Sequence, residues 1–178
     1  MRYLILILGM TLIGFSSQAQ KAMRDNSVVQ QLDLERYLGT WYEIARYNHS
    51  FEKGLEGVTA NYTMREDGKL KVINSGYKGG LDGKKSIAEG KAKVPNPQEP
   101  SKLKVSFFWI FYGDYFVMEL DENYQWAVIG SKTDKYLWIL SRTPQMEPYI
   151  YNDLLRRLKK RGYDVGKLIL VKQKKNKS

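Results

Sequence analysis

From Leu38 to Ser141 apolar and polar side chains alternate in short runs separated by turn residues. Val58, Ala60, Tyr62 and Met64 are interleaved with Thr59, Asn61 and Thr63, the period of a strand with one buried face. Arg65-Glu66-Asp67-Gly68 predicts a hairpin turn, with Asp-Gly supplying the positive φ, and Leu70 and Val72 then alternate with Lys69 and Lys71. Ile87, Glu89, Lys91 and Lys93 alternate with Ser86, Ala88, Gly90 and Ala92. The charged side belongs in water, so the small residues face inward. Leu103, Val105 and Phe107 alternate with Lys102, Lys104 and Ser106, and segments 41–47, 115–120, 125–129 and 136–141 complete eight strands. Eight sequential antiparallel strands favour an all-β up-and-down barrel, which leaves no exposed edge and holds space for one small ligand.

The period then changes. Ile150, Leu154 and Leu158 recur every four residues beside Tyr151 and Leu155, with Pro148 placed for a first turn and Gly162 for a C-cap. This predicts one C-terminal α-helix packed outside the barrel, followed by a short strand over 168–171.

Composition narrows the chemistry. The chain has 178 residues, 43% of them hydrophobic and 13% aromatic, enough for one domain with a sizeable core. With no Cys and a single His, disulfides and thiolate chemistry are excluded, and neither a metal site nor a cofactor is expected. The net charge of +10 is local: from Arg156 to Ser178 ten basic residues face one acid, Asp164, whereas residues 20–155 balance. At the other end, Arg2, an apolar run over 3–15 and small residues at Ser17 and Ala19 predict a secretory signal peptide over 1–19. The expected organisation is a signal over 1–19, a barrel domain over 20–172 and a basic tail over 173–178. Without a Cys to carry lipid, the expected product is a soluble periplasmic or secreted protein.

Three motifs carry a resemblance. Gly39-Thr40-Trp41-Tyr42-Glu43-Ile44-Ala45-Arg46 resembles the first conserved region of the lipocalins, LDENYQWAVIG the second, and LWILSRTP the third. With KVSFF and FYGDY, they resemble the bacterial, outer-membrane-lipocalin-like branch, although the lipoprotein Cys of that branch is missing and the basic tail is unusual. The resemblance implies a calycin barrel that binds fatty acids or lysophospholipids. It also implies a structural floor at Gly39, Trp41, Glu43 and Arg142, with the Arg142 guanidinium stacked on the Trp41 indole.

If Trp41 points inward, strict alternation sends Glu43, Ala45 and Tyr47 inward too. The same reasoning gives a ligand wall of Val58, Ala60, Tyr62, Val72, Asn74, Ala88, Val105 and Phe107. By resemblance, Tyr115, Val117, Glu119, Tyr136 and Trp138 join it. Buried carboxylates need partners; Arg142 is the expected partner of Glu43, and tyrosine hydroxyls or a ligand head that of Glu119. Mouth loops over 48–57, 77–84, 109–113 and 131–135 bring Phe51, Trp109, Phe111 and Tyr112 to a rim suited to transient membrane contact. His49 falls on a mouth loop, is read as solvated, and completes no catalytic constellation, so the protein is not expected to be an enzyme. The alternatives are a haem or tetrapyrrole binder, or a protein that meets anionic surfaces through its basic end. Nucleic acid is not an expected partner.

Overall fold

A computed structural model describes residues 24–108 and 111–175. The signal-peptide segment and Trp109 lie outside the described residues. The elements in chain order are α1 (Leu34–Tyr37), β1 (Gly39–Tyr47), β2 (Leu55–Met64), β3 (Leu70–Lys78), β4 (Lys84–Lys93), β5 (Lys102–Phe108), β6 (Phe111–Leu120), β7 (Trp126–Gly130), β8 (Leu137–Ser141), α2 (Pro148–Lys160) and β9 (Leu168–Leu170). Each of β1 to β8 pairs antiparallel with its neighbour in sequence, and β8 returns to β1, closing the barrel. The expected all-β eight-stranded barrel with one outer helix and a short final strand is the fold observed.

Two apolar clusters divide the molecule. One fills the closed end of the barrel and is built from inward residues such as Trp41, Tyr62, Leu70, Leu103, Val117 and Ile129. The other lies between barrel and helix, where Leu154 and Leu158 of α2 meet Val128, Leu137 and Ile139. The helix ends as its sequence dictates: Gly162 adopts φ +81°, and the Tyr163 amide donates to the Leu158 carbonyl at 3.0 Å.

The strand pairing is irregular at four places, and two of them, β-bulges in β1 and β6, overturn three expected ligand contacts. Opposite β8, Glu43 pairs with Leu140 but Ala45 pairs with Ile139, so β1 carries an extra residue there. Ile44 and Ala45 consequently both face the helix, Tyr47 follows them outward, and Arg46 turns into the barrel, only 2% exposed. Tyr47 donates its hydroxyl to the Asp164 carbonyl at 2.9 Å. In β6 the bulge falls between Val117, paired with Ile129, and Glu119, paired with Val128. Met118 and Glu119 therefore both point outward. Glu119 lies 3.4 Å from Arg157 and 3.6 Å from Arg161, both cations from the helical region rather than tyrosines or a ligand. Burial still lifts its carboxyl above the usual range, against the pull of Arg161 and Arg157. Ala45, Tyr47 and Glu119 are thus not cavity residues, because one extra residue per strand reverses every side chain beyond it.

The chain end closes a seam. β1 pairs with β2 only from Gly39 to Tyr42, and its second half pairs with β9 instead. Beyond β9 the Val171 amide donates to the Ile44 carbonyl and the Gly57 amide to the Lys172 carbonyl, at 2.9 and 2.7 Å. Gln173 donates from Nε2 to the Glu43 and Val58 carbonyls, both at 2.8 Å. Gln173, which the sequence assigns to a tail, therefore bridges β1 and β2.

Candidate functional site

The floor forms from the first motif upward. Asp33 caps α1 by accepting from the Arg36 amide, which turns the chain so that Tyr37 and Trp41 enter the barrel together. Trp41 is fully buried, and its indole N–H donates to the Tyr37 carbonyl at 2.9 Å. Arg142, just past β8, stacks its guanidinium 3.8 Å from the indole centroid. It also donates to the carbonyls of Arg36, Thr40 and Tyr124, so three chain segments meet on one cation. Gly39 sits at φ +88°, and a Cβ there would lie 3.5 Å from Arg142 Nη1. Positive φ alone disfavours other residues at this position.

Above the floor the barrel encloses a cavity of about 340 Å³, within the range of small-molecule sites. Of the sequence-predicted wall, Val58, Ala60, Tyr62, Val72, Asn74, Ala88, Val105, Phe107, Tyr115, Tyr136 and Trp138 line it. Val117 is buried at the closed end and does not reach the cavity. The small side chains of β4 leave open space beside Asn74, which pairs in register with Ala60 on one side and Ala88 on the other. At the lower end the hydroxyls of Tyr37 and Tyr62 lie 2.7 and 2.9 Å from that of Tyr115. Burial pushes all three hydroxyls well above the usual tyrosine range, so they remain neutral.

One wall is polar, and sequence reasoning missed most of it. Glu43 lines the cavity, but its partner is Arg46 at 2.6 Å rather than Arg142. Arg46 donates further to the Glu52 and Leu55 carbonyls at 2.8 and 3.1 Å. Glu52, on a short 3₁₀ turn over Ser50–Glu52, brings its carboxylate 3.2 Å from Trp138 Nε1 and 3.0 Å from His49 Nε2. His49 is not solvated: its side chain is 6% exposed, and its ring stacks on Phe51 at 3.9 Å beside Tyr136 and Trp138. A signal for this cluster exists in the sequence. Strict alternation would place Arg46 beneath an apolar helix without a partner, a conflict that a bulge resolves.

The two acids titrate in opposite directions. Burial, then the Glu52 carboxylate, push Glu43 well above the usual carboxylate range, and Arg46 offsets only part of this. Burial also acts on Glu52, but His49, then Trp138 and Arg46, outweigh it and hold Glu52 below that range. The protonated form of Glu43 is therefore favoured by folding, and its stabilisation declines as pH rises through the raised value. Glu43→Gln has no proton to lose, so its melting temperature relative to wild type should increase from about pH 5 to about pH 9. Thermal denaturation across that range checks this; a constant difference would contradict it.

At the mouth, Phe51 and Phe111 line the opening and are 50% and 76% exposed. Tyr112 does not join them. Its ring lies on the outer wall, 4.6 Å from Lys93 Nζ.

Comparisons with known proteins agree with this architecture. Residues 32–173 match the lipocalin-like domain. The chain is 47% identical over 150 residues to the outer membrane lipoprotein Blc of Escherichia coli K12, covering 84% of each chain. It is 39% identical over 154 residues to temperature-induced lipocalin-1 of Arabidopsis thaliana, covering 82% of this chain and 81% of that one. Insecticyanin of Manduca sexta superimposes with a TM-score of 0.67 at 22% identity, covering 85% and 86% of the two chains, and shares the fold. This chain belongs to the lipocalins, on the bacterial branch that contains Blc.

Proposed function

We propose that this lipocalin binds and carries a single-chain lipid, a fatty acid or a lysophospholipid, and performs no covalent chemistry on it. Lipocalins bind small hydrophobic molecules, and the observation that carries the reading here is the open, mainly apolar cavity of about 340 Å³. An elongated hydrocarbon chain matches its walls of Val58, Val72, Val105 and Phe107, and Ala60 and Ala88 leave the width for it. Phe51 and Phe111 then form a lip over which lipid passes to and from a membrane surface. The lysines on the chain end, including Lys172 and Lys174, add attraction to anionic headgroups.

Export fits this role. The relative Blc is named an outer membrane lipoprotein, and the first 19 residues of this chain have the layout of a cleaved signal peptide. The exported domain would begin near residue 20, and with no Cys to bear a lipid it would act unanchored in the periplasm or outside the cell.

Native mass spectrometry of the purified protein, followed by lipid extraction, tests the assignment. The expected result is a one-to-one adduct of single-chain lipid mass that delipidation removes. A chain that is empty after purification and takes up no apolar fluorophore would refute it.

A further inference from the structure

The two ends of the barrel carry their charges differently. At the mouth, Lys53 follows the 3₁₀ turn, Lys78 ends β3, Lys84 begins β4, and Lys132 and Lys135 lie between β7 and β8. Each is exposed, and none has an ion-pair partner among the described residues. Asp82 and Asp134 are the exposed acids of these loops, and Asp134 lies 4.0 Å from Arg24. At the floor the cations are committed instead: Arg65 and Lys69 to Asp67 at 3.0 and 2.9 Å, Lys102 to Glu99, and Arg142 to its three carbonyls. The exposed acids Glu35, Glu66, Glu122 and Glu147 add to that end.

Lys78 and Lys84 are direct cross-strand partners. Like charges so placed repel and weaken the hairpin, a cost that a negative surface above them removes. The basic chain end joins the same end of the barrel. Its hydrogen bonds to Gly57 and Val58 pin it against β2, and Lys174 Nζ lies 4.1 Å from the ring of Tyr77, the neighbour of Lys78. Lys172, Lys174 and Lys175 are all exposed there. The balanced body of the chain is thus polarised along the barrel, and the chain end adds to its positive pole. Phe51 and Phe111 stand at the cavity entrance on this same pole. Free cations around exposed apolar side chains complement a surface that is anionic at its plane and apolar beneath it. A soluble polyanion has no apolar layer to receive the phenylalanines.

We propose that the mouth end is a docking face for an anionic lipid bilayer. The lysines of the mouth loops hold the cavity entrance against the headgroups, Phe51 and Phe111 insert between them, and the acidic floor points away. This rests on the lipid-carrier reading above and adds which membrane the carrier meets and in which orientation.

The test is flotation of the full exported chain with vesicles of phosphatidylcholine alone and of phosphatidylcholine mixed equally with phosphatidylglycerol. Binding is expected on the mixed vesicles and should weaken as salt rises. Lys53→Glu/Lys84→Glu/Lys132→Glu should weaken it at least about 100-fold, since each lysine near such a surface contributes roughly a factor of five. Lys69→Glu/Lys93→Glu/Lys102→Glu changes the net charge equally but at the floor, and should weaken it less than about threefold, because screening confines the attraction to the near end. Phe111→Ala leaves every charge in place, should weaken binding about tenfold, and decides with the salt series if the mouth triple variant fails to fold. Equal losses in the two triple variants would reduce the effect to net charge and overturn the orientation. Equal binding to phosphatidylcholine alone, or an unaffected mouth variant, would overturn the docking face, and an unaffected Phe111→Ala would overturn insertion. Uptake of the fluorophore N-phenyl-1-naphthylamine separates the two readings. Uptake without vesicle binding removes the docking face alone, whereas vesicle binding without uptake removes the lipid-carrier reading.

Discussion

Trp41→Ala should lower the stability of the barrel by about 3–5 kcal/mol, the usual cost of emptying a fully buried large aromatic position. For a domain of this size that corresponds to a fall in melting temperature of roughly 6–20 °C. The loss has three parts. The indole leaves a hole in a floor packed by Tyr37, its N–H no longer satisfies the Tyr37 carbonyl, and Arg142 loses the face on which it stacks at 3.8 Å. Arg142 keeps its three carbonyl partners, so the segments it joins remain tied and the barrel still closes. Trp41 is absent from the cavity lining, so ligand affinity measured well below the melting transition should change by less than about threefold. Circular dichroism melting with fluorophore titration separates the two effects, and an unchanged melting temperature would refute the structural role.

Ala88→Trp should do the reverse, abolishing ligand binding while the fold survives. Ala88 faces the cavity in register with Asn74, and an indole projected there occupies the space the ligand would take. Filling an existing void avoids the strain of overpacking a dense core, so a stability change within about 1 kcal/mol is expected. Affinity for an apolar ligand should fall at least about 100-fold, or roughly 2.7 kcal/mol. A variant that melts normally and still binds would move the binding site out of the barrel. Together the two substitutions separate the part of the interior that holds the fold from the part left open for a ligand.

Most of the barrel was legible because its physics is local. Period two along β2, β3, β4 and β5 follows from one face being buried, and Val58, Ala60 and Tyr62, Val72 and Asn74, and Val105 and Phe107 line the cavity as it requires; in β2 it is broken only nearer the mouth, by a register shift between Glu56 and Thr59. The stripe Ile150, Leu154 and Leu158 required a helix with one covered face, and that face lies on the outer wall. The motif residues Trp41 and Arg142 met as the family resemblance implied, because the start of β1 and the end of β8 lie side by side at the same closed end.

What was not legible depended on contacts between distant segments. Ala45, Tyr47 and Glu119 were expected inside, and two bulges turned them out. A bulge is decided by what covers the strand, and here α2 and its flanking cations cover both. The same bulge that displaced Ala45 carried Arg46 inward to Glu43, and a 3₁₀ turn brought Glu52 and His49 to meet them.

The amino-acid sequence by itself determined an eight-stranded barrel and its small-residue wall, since burial of one face and turn chemistry act within a few residues, while the Trp41–Arg142 floor pair came from the family resemblance. Only the tertiary structure decided which charges enter the cavity and where the basic chain end lies. Gln173 and Lys174 run back over β1, β2 and Tyr77, and Arg46 faces inward, because buried polar groups must find partners wherever the closed barrel supplies them.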